Sequence, residues 1–175
     1  MRILCSVIFA LLIVFLGSTK IEAQSFNTMI FGQKNIAEVN NPPYQSSFRV
    51  TGIYIDKSDK KLYLLNGRKV LKSYDVELGF NPVGHKRFQG DGKTPEGVYY
   101  IDRKNPQSQF HLSLGLSYPN SKDKSYAQKY GKSAGGDIFI HGKKGLTRGC
   151  ISVSNRDIEE IYKLVEYRTP VQIVP

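Results

Sequence analysis

Cysteine is nearly absent from this sequence: its 175 residues include only two, Cys5 and Cys150. Cys5 lies in "MRILCSVIFALLIVFLGSTKIEA", where Arg2 precedes an apolar stretch from Ile3 to Leu16 and small or polar residues lead to Ala23. That layout is that of a secretory signal peptide, with cleavage expected after Ala23. A membrane-spanning helix is not expected, because the apolar stretch falls short of the roughly 20 residues needed to cross a bilayer. No cysteine follows it where a lipid would be attached. Cleavage would leave Cys150 as the only thiol, which excludes an internal disulfide and marks a candidate reactive group. The plainer alternative is a buried cysteine acting as a small hydrophobe. The expected location is the periplasm or cell envelope.

Histidine is scarce too, and all three histidines (His85, His111 and His141) precede Cys150. Papain-like peptidases run cysteine first and histidine later, so that arrangement is excluded. Neither His85 nor His111 has a second ligand at suitable spacing, so no metal is expected. Basic helices, zinc-finger spacing and aromatic RNA-binding signatures are missing, as are repeats and low-complexity tracts, and nucleic acid is not an expected partner. What the chain does have is positive charge, 25 basic residues against 15 acidic. Without Arg2, Lys20 and Glu22 of the leader the balance is +9. The basic residues are scattered, and with export an anionic wall or surface polymer is the better match.

Residues 24–46 are polar and mixed, with Pro42-Pro43 marking a linker ahead of a domain at 47–175. About 130 residues suffice for one core without cross-links. "FRVTGIYID" alternates apolar and polar residues from Phe48 to Ile55, as a strand does. "KLYLLNGRKVLKSYDVELG" reads as two strands about Asn66-Gly67, the pair that suits a type I′ turn. A Gly- and Pro-rich loop from Asn81 to Gly97 leads to a strand at Val98–Asp102, and "FHLSLGLSYP" and "DIFIHG" add two more. Ser154 and Asp157 fit a capping box ahead of a helix with Ile158, Ile161, Leu164 and Val165 on one face. "TPVQIV" closes the chain as a strand, and residues 121–133 read as a short helix or a loop. The fold class is mainly β with one late helix.

The chemistry concentrates in "HGKKGLTRGC", His141 to Cys150. Strand alternation places Ile138 and Ile140 on one side and His141 on the other. It likewise separates Ile151 and Val153 from Cys150, Ser152 and Ser154. If the intervening loop folds back, imidazole and thiol converge, and the imidazole can lower the thiol pKa and shuttle protons. Gly149 would keep the backbone beside the thiol open, and the Gly149 and Cys150 amides could form an oxyanion hole. Arg148 could hold a substrate carboxylate bidentately or be a solvated loop charge. Tyr118 and Asn120 could line a substrate groove or merely shape the turn at Pro119.

His-Gly, then Thr two residues before Gly-Cys, then a hydrophobic residue, resembles the signature of the L,D-transpeptidase catalytic domain (YkuD-like) family. "KKLYLLNGRKVLKSYDVELG", "GDGKTPEGVYYI" and "DIEEIYKLVEYRTPVQIV" resemble that family's opening hairpin, Thr-Pro-x-Gly loop and closing helix and strand. "LSYPN" and "GGDIFIHG" resemble its stand-alone periplasmic branch. The resemblance covers residues 48–174. It implies a β-sandwich or barrel, no metal or organic cofactor, and peptidoglycan stem peptides as partner. It further implies Cys150 as nucleophile, His141 as general base, and Gly142 lending a carbonyl to orient the imidazole. Arg148 stands where the family often has His, and Ser152 where it often has Arg or Asn. Both positions bear on substrate and acceptor choice.

Transpeptidation, carboxypeptidation with water as acceptor, and amidase action on a wall-attached lipoprotein all use the same pair and stay open. A sortase would fit Arg156 downstream of the cysteine and His85 upstream. Gly149, however, replaces the Thr expected before that cysteine, and the His-Gly strand would be unexplained. A non-catalytic wall-binding module working through its basic face is the reading from outside enzymology. A monomer is expected.

Overall fold

The computed structural model describes residues 48–175, so the expected leader and linker lie outside the described residues. The chain begins as an antiparallel meander of β1 (Gly52–Asp56), β2 (Lys61–Asn66) and β3 (Lys69–Asp75). Ile53, Ile55, Leu62 and Leu64 are fully buried, so the alternation read from the sequence is the one the sheet uses. The first strand starts at Gly52, and Phe48 is exposed ahead of it. In the β2–β3 hairpin Asn66 pairs with Lys69, so the two-residue turn is Gly67-Arg68. Of these two only Gly67 has a positive φ, +55°. The turn is thus shifted one residue from the expected Asn66-Gly67 turn, and a type I′ turn, which needs positive φ at both centres, is ruled out.

β4 (Gly97–Asn105) is longer than the run expected at Val98–Asp102, and β5 (Ser113–Leu116) is buried along its whole length rather than alternating. β6 (Phe139–His141) and β7 (Ile151–Ser152) follow, and the last strand is β8 (Pro170–Val174). The strand order is β3-β2-β1-β8-β4-β5-β6-β7. β8 therefore returns to the middle of the sheet, parallel to β1 and antiparallel to β4. Just beyond β3, Glu77 bridges to Ser152 in β7 by two backbone hydrogen bonds of 2.9 and 2.8 Å. The two ends of the strand order thus meet, curling the sheet into a half-barrel and covering edges that would otherwise expose unpaired backbone.

Two helices complete the domain. The 121–133 region contains α1 (Ser121–Lys129), capped by Asn120, whose side chain accepts from Lys122 N and Asp123 N while Asp123 accepts from the Asn120 amide. The late helix is α2 (Asn155–Leu164). Ser154 caps it by accepting from Asp157 N at 3.1 Å. Ile158 and Ile161 are fully buried, worth about 1.5–3 kcal/mol each by apolar area. Past the end of the helix, Val165 is extended and also buried. Lys104 Nζ donates to Tyr162 O and Val165 O, both at 2.8 Å, where the helix dipole favours a cation. Ile158→Ala would cost about 2–5 kcal/mol and loosen α2 from the sheet.

Candidate active site

β6 ends at His141, and β7 starts immediately after Cys150, so the loop between two parallel neighbours joins the two candidate residues. His141 is 4 % exposed, and its Nδ1–H donates to Gly142 O at 2.6 Å. With Nδ1 protonated, the neutral ring leaves its Nε2 lone pair free as a base. The Phe110 ring packs on the imidazole with centroids 4.5 Å apart and planes at 31°. Glycine is required next in the chain, because a Cβ at Gly142 would lie 2.8 Å from both Asn155 Oδ1 and Phe110 O. Asn155, at the start of α2, also accepts from Lys143 N at 2.7 Å, tying the loop to the helix.

Cys150 and His141 line the same cleft, about 840 Å³ in volume. The thiol donates weakly to Asp137 O at 3.5 Å. Thr147 shapes the approach to Cys150: its hydroxyl donates to Cys150 O at 2.7 Å and accepts from Gly149 N at 3.0 Å. Gly149 has φ +136°, and a Cβ there would lie 2.7 Å from Lys93 O. Its role is therefore a close backbone approach, not an open path to the sulfur. Since Thr147 takes the Gly149 N–H, the expected pair of oxyanion donors is reduced to the Cys150 amide.

Burial pushes the Cys150 thiol up, and the Asp137 charge adds to this. A hydrogen bond from the Phe139 backbone and the charge of Lys86 pull the other way without cancelling it. Burial also holds His141 below the ordinary imidazole value, partly opposed by the bond to Gly142. Both shifts favour the neutral forms. Thiol and imidazole thus both rest neutral on the wall of the same cleft.

The remaining expectations divide. Arg148 is exposed and lines the cleft. Ser152 does not reach it: the residue is fully buried, accepts from Gly145 N at 2.9 Å and donates to Gly145 O at 2.6 Å. Alternation correctly put it on the His141 side, but the 142–149 loop covers that side. Tyr118 is buried with its hydroxyl on Ala134 O at 2.8 Å, and Asn120 caps α1, so both are structural rather than groove residues. His85 has both nitrogens engaged, by Glu96 N and Asp123, and His111 meets Glu159 at 2.7 Å. No metal-ligand cluster occurs among the described residues. Lys86, Phe110, Thr147 and Asn155 escaped the sequence reading as site builders, although the Ser/Thr position of the motif pointed at Thr147.

The family model of the L,D-transpeptidase catalytic domain (YkuD) matches residues 51–173. The chain belongs to this family. It is 30% identical over 119 residues to a putative L,D-transpeptidase, YafK, of Escherichia coli K12, covering 65% of this chain and 45% of that protein. The chain thus spans less than half the length of the curated relative it matches. Among solved structures it is similar to the helical cell shape determining protein Pgp2 of Campylobacter jejuni, with TM-score 0.58 and 28% identity over 86% of this chain and 54% of that one. An L,D-transpeptidase of Xylanimonas cellulosilytica shares the fold at TM-score 0.50 and 13% identity, over 86% of this chain and 69% of the other. Within this L,D-transpeptidase domain, the His-Gly strand and the Gly-Cys loop form one wall of the cleft, and the 80–90 loop, Phe110 and residues 135–138 complete it.

Proposed function

We propose that the chain is an exported cysteine acyltransferase acting on peptidoglycan stem peptides, with Cys150 as nucleophile and His141 as base. One observation carries the reading. In a cleft holding the only thiol among the described residues, a buried imidazole has its Nδ1–H fixed on Gly142 O and its Nε2 unoccupied. Family membership supports the substrate class.

The steps follow from these groups. Cys150 Sγ attacks the carbonyl carbon of a peptide bond between an L- and a D-centre while its proton passes to His141 Nε2. The Cys150 amide stabilises the oxyanion that develops. Collapse breaks the C–N bond, His141 returns the proton to the departing amine, and a thioester remains on Cys150. An amine from a second stem, deprotonated by His141, then attacks the thioester and restores the thiol. Water in the amine's place gives carboxypeptidase action, and an attached polypeptide as leaving group gives amidase action.

A site outside the inner membrane fits the leader read at residues 1–23. The likeness to a helical cell shape determining protein supports a role in setting cell shape. The test is the muropeptide profile with and without the enzyme, run beside Cys150→Ala. Dimers joined through two diamino-acid residues mean transpeptidation, and shortened stems without new dimers mean carboxypeptidation. An unchanged profile, with no acyl adduct on Cys150 by intact mass spectrometry, would sink the reading.

A further inference from the structure

Two lysines are buried in this domain, and their surroundings differ. Lys57 is 6 % exposed and gives each of its three N–H donors an acceptor: Gly84 O at 2.8 Å, Thr94 O at 3.2 Å and Glu96 Oε1 at 2.7 Å. Nothing is left over, and Lys57 holds loop to sheet. Lys86 is 3 % exposed and has two acceptors among the described residues, Phe88 O at 3.1 Å and Asp91 Oδ1 at 2.8 Å. It lines the cleft that contains Cys150 and His141. One donor of a fixed, desolvated ammonium is therefore left for something in the cleft.

The rest of the loop serves to hold that charge in place. Asp91 also accepts from Arg87 N, Phe88 N and Lys93 N at 2.7 to 3.0 Å, so its negative charge is shared among four donors. Burial pushes the Asp91 carboxyl up, but Lys86 and these amides outweigh it and keep the group ionised. Of the other charged residues on the cleft wall, Lys143 and Arg148 are exposed cations and Asp137 an exposed acid. Only Lys86 is both buried and braced, so it loses little side-chain freedom when it binds an anion.

We propose that Lys86 is a specificity-determining residue that takes the free carboxylate of the substrate's departing residue, so that the enzyme prefers donors ending in a carboxylate next to the scissile bond. This rests on the acyl-transfer reading above. The chemistry matches: a carboxylate whose carbon is two bonds from the departing nitrogen sits within a few ångströms of the sulfur, and a buried ammonium recognises it more strongly than an exposed one.

Two haloacetates of nearly equal size test the site apart from any transferase activity. Iodoacetate carries a carboxylate and iodoacetamide a neutral amide. With each, Cys150 sulfur bonds to the methylene carbon, iodide leaves, and the thiol proton passes to His141 or buffer. The full domain should show a rate ratio of iodoacetate to iodoacetamide about tenfold higher than Lys86→Met, with Lys86→Arg keeping most of the preference. A ratio unchanged in Lys86→Met overturns the proposal. So does a ratio that stands there and collapses in Arg148→Ala, which would assign the carboxylate to Arg148. A second arm uses the unaltered protein, so it holds even if Lys86→Met fails to fold. A stem-peptide donor with a free C-terminal carboxylate should exceed its C-terminal amide in kcat/KM, mainly through KM. Equal values overturn the proposal. Acylation by neither donor, with the haloacetate ratio intact, would instead sink the transferase reading and leave the anion site standing.

Discussion

Two clusters of buried polar side chains in this domain follow opposite rules. Around His85 every strong donor and acceptor is matched. The ring accepts from Glu96 N at 2.9 Å and donates to Asp123 Oδ1 at 3.0 Å. Asp123 Oδ2 takes the Asn120 amide at 2.9 Å and lies 3.2 Å from the Tyr99 hydroxyl, while Lys57 spends all three donors nearby. Around His141 the valences are left open. One imidazole nitrogen is bonded, and the thiol has only a long contact to Asp137 O and a hydrogen bond from the Phe139 backbone. Among the described residues Lys86 has acceptors for two of its three donors. Since an unmatched buried polar group costs stability, a fold tolerates such groups where they serve a ligand. The closed cluster holds the domain together, and the open one is where the proposed acyl transfer would take place.

If this contrast is right, mutations should separate activity from stability. The largest effect falls on the open cluster. Cys150→Ala should lower acyl transfer by roughly 10³-fold or more, as removal of a nucleophile does elsewhere. Its melting temperature should stay close to that of the parent, because the thiol makes only weak sulfur contacts, to Asp137 O and with the Phe139 backbone. Calorimetry beside a muropeptide assay checks both halves, and a large thermal loss would erase the distinction. Next comes the closed cluster. Asp123→Ala strips partners from His85 and from the Asn120 amide that begins α1, and should cost about 3 kcal/mol. That corresponds to a fall of roughly 10 °C in Tm. Once corrected for the folded fraction, its turnover should match the parent's.

The pH dependence sharpens the same contrast. Since burial holds His141 below the ordinary imidazole value of about 6.5, Nε2 stays unprotonated and basic throughout neutral pH. The acidic limb of kcat/KM should therefore lie below that value. Because the thiol is pushed above its own ordinary range, alkylation of Cys150 by iodoacetamide should keep rising with pH into the alkaline range. A flat alkylation rate down to pH 5 would show a preformed thiolate–imidazolium pair and refute the neutral resting state.

How far the sequence foretold these clusters depends on the range of the contacts involved. That His141 and Cys150 share one cleft was legible because period-2 alternation puts both on one side and an eight-residue loop allows the return. α2 was legible from Ser154 and its apolar face, which depend on neighbours three and four residues away. Ser152, Tyr118 and Asn120 lie off the groove for a common reason: neither a motif position nor a place beside the Pro119 turn tells which partners a side chain spends its hydrogen bonds on. Lys86 was invisible, since a lysine in a Gly- and Pro-rich loop reads as solvated until Asp91 and the rest of that loop are seen to fold around it. Asn155 and Phe110 converge on Gly142 from distant stretches of chain, a contact no local pattern encodes.

The smallest expected effect lies at Ser152, where the two regimes meet. This residue belongs by sequence to the open cluster but is satisfied like the closed one, with both of its hydrogen bonds spent on Gly145. Ser152→Ala removes both and leaves the Gly145 amide and carbonyl unpaired under the loop, a cost of about 1–3 kcal/mol. The loop between His141 and Cys150 should then open more often, seen as faster hydrogen exchange confined to residues 143–149. Acyl transfer should fall only a few-fold, because Thr147, Asn155 and Gly142 still hold the loop. A loss as large as that of Cys150→Ala, at unchanged hydrogen exchange, would mean that the Ser152 hydroxyl touches substrate and belongs to the open cluster after all.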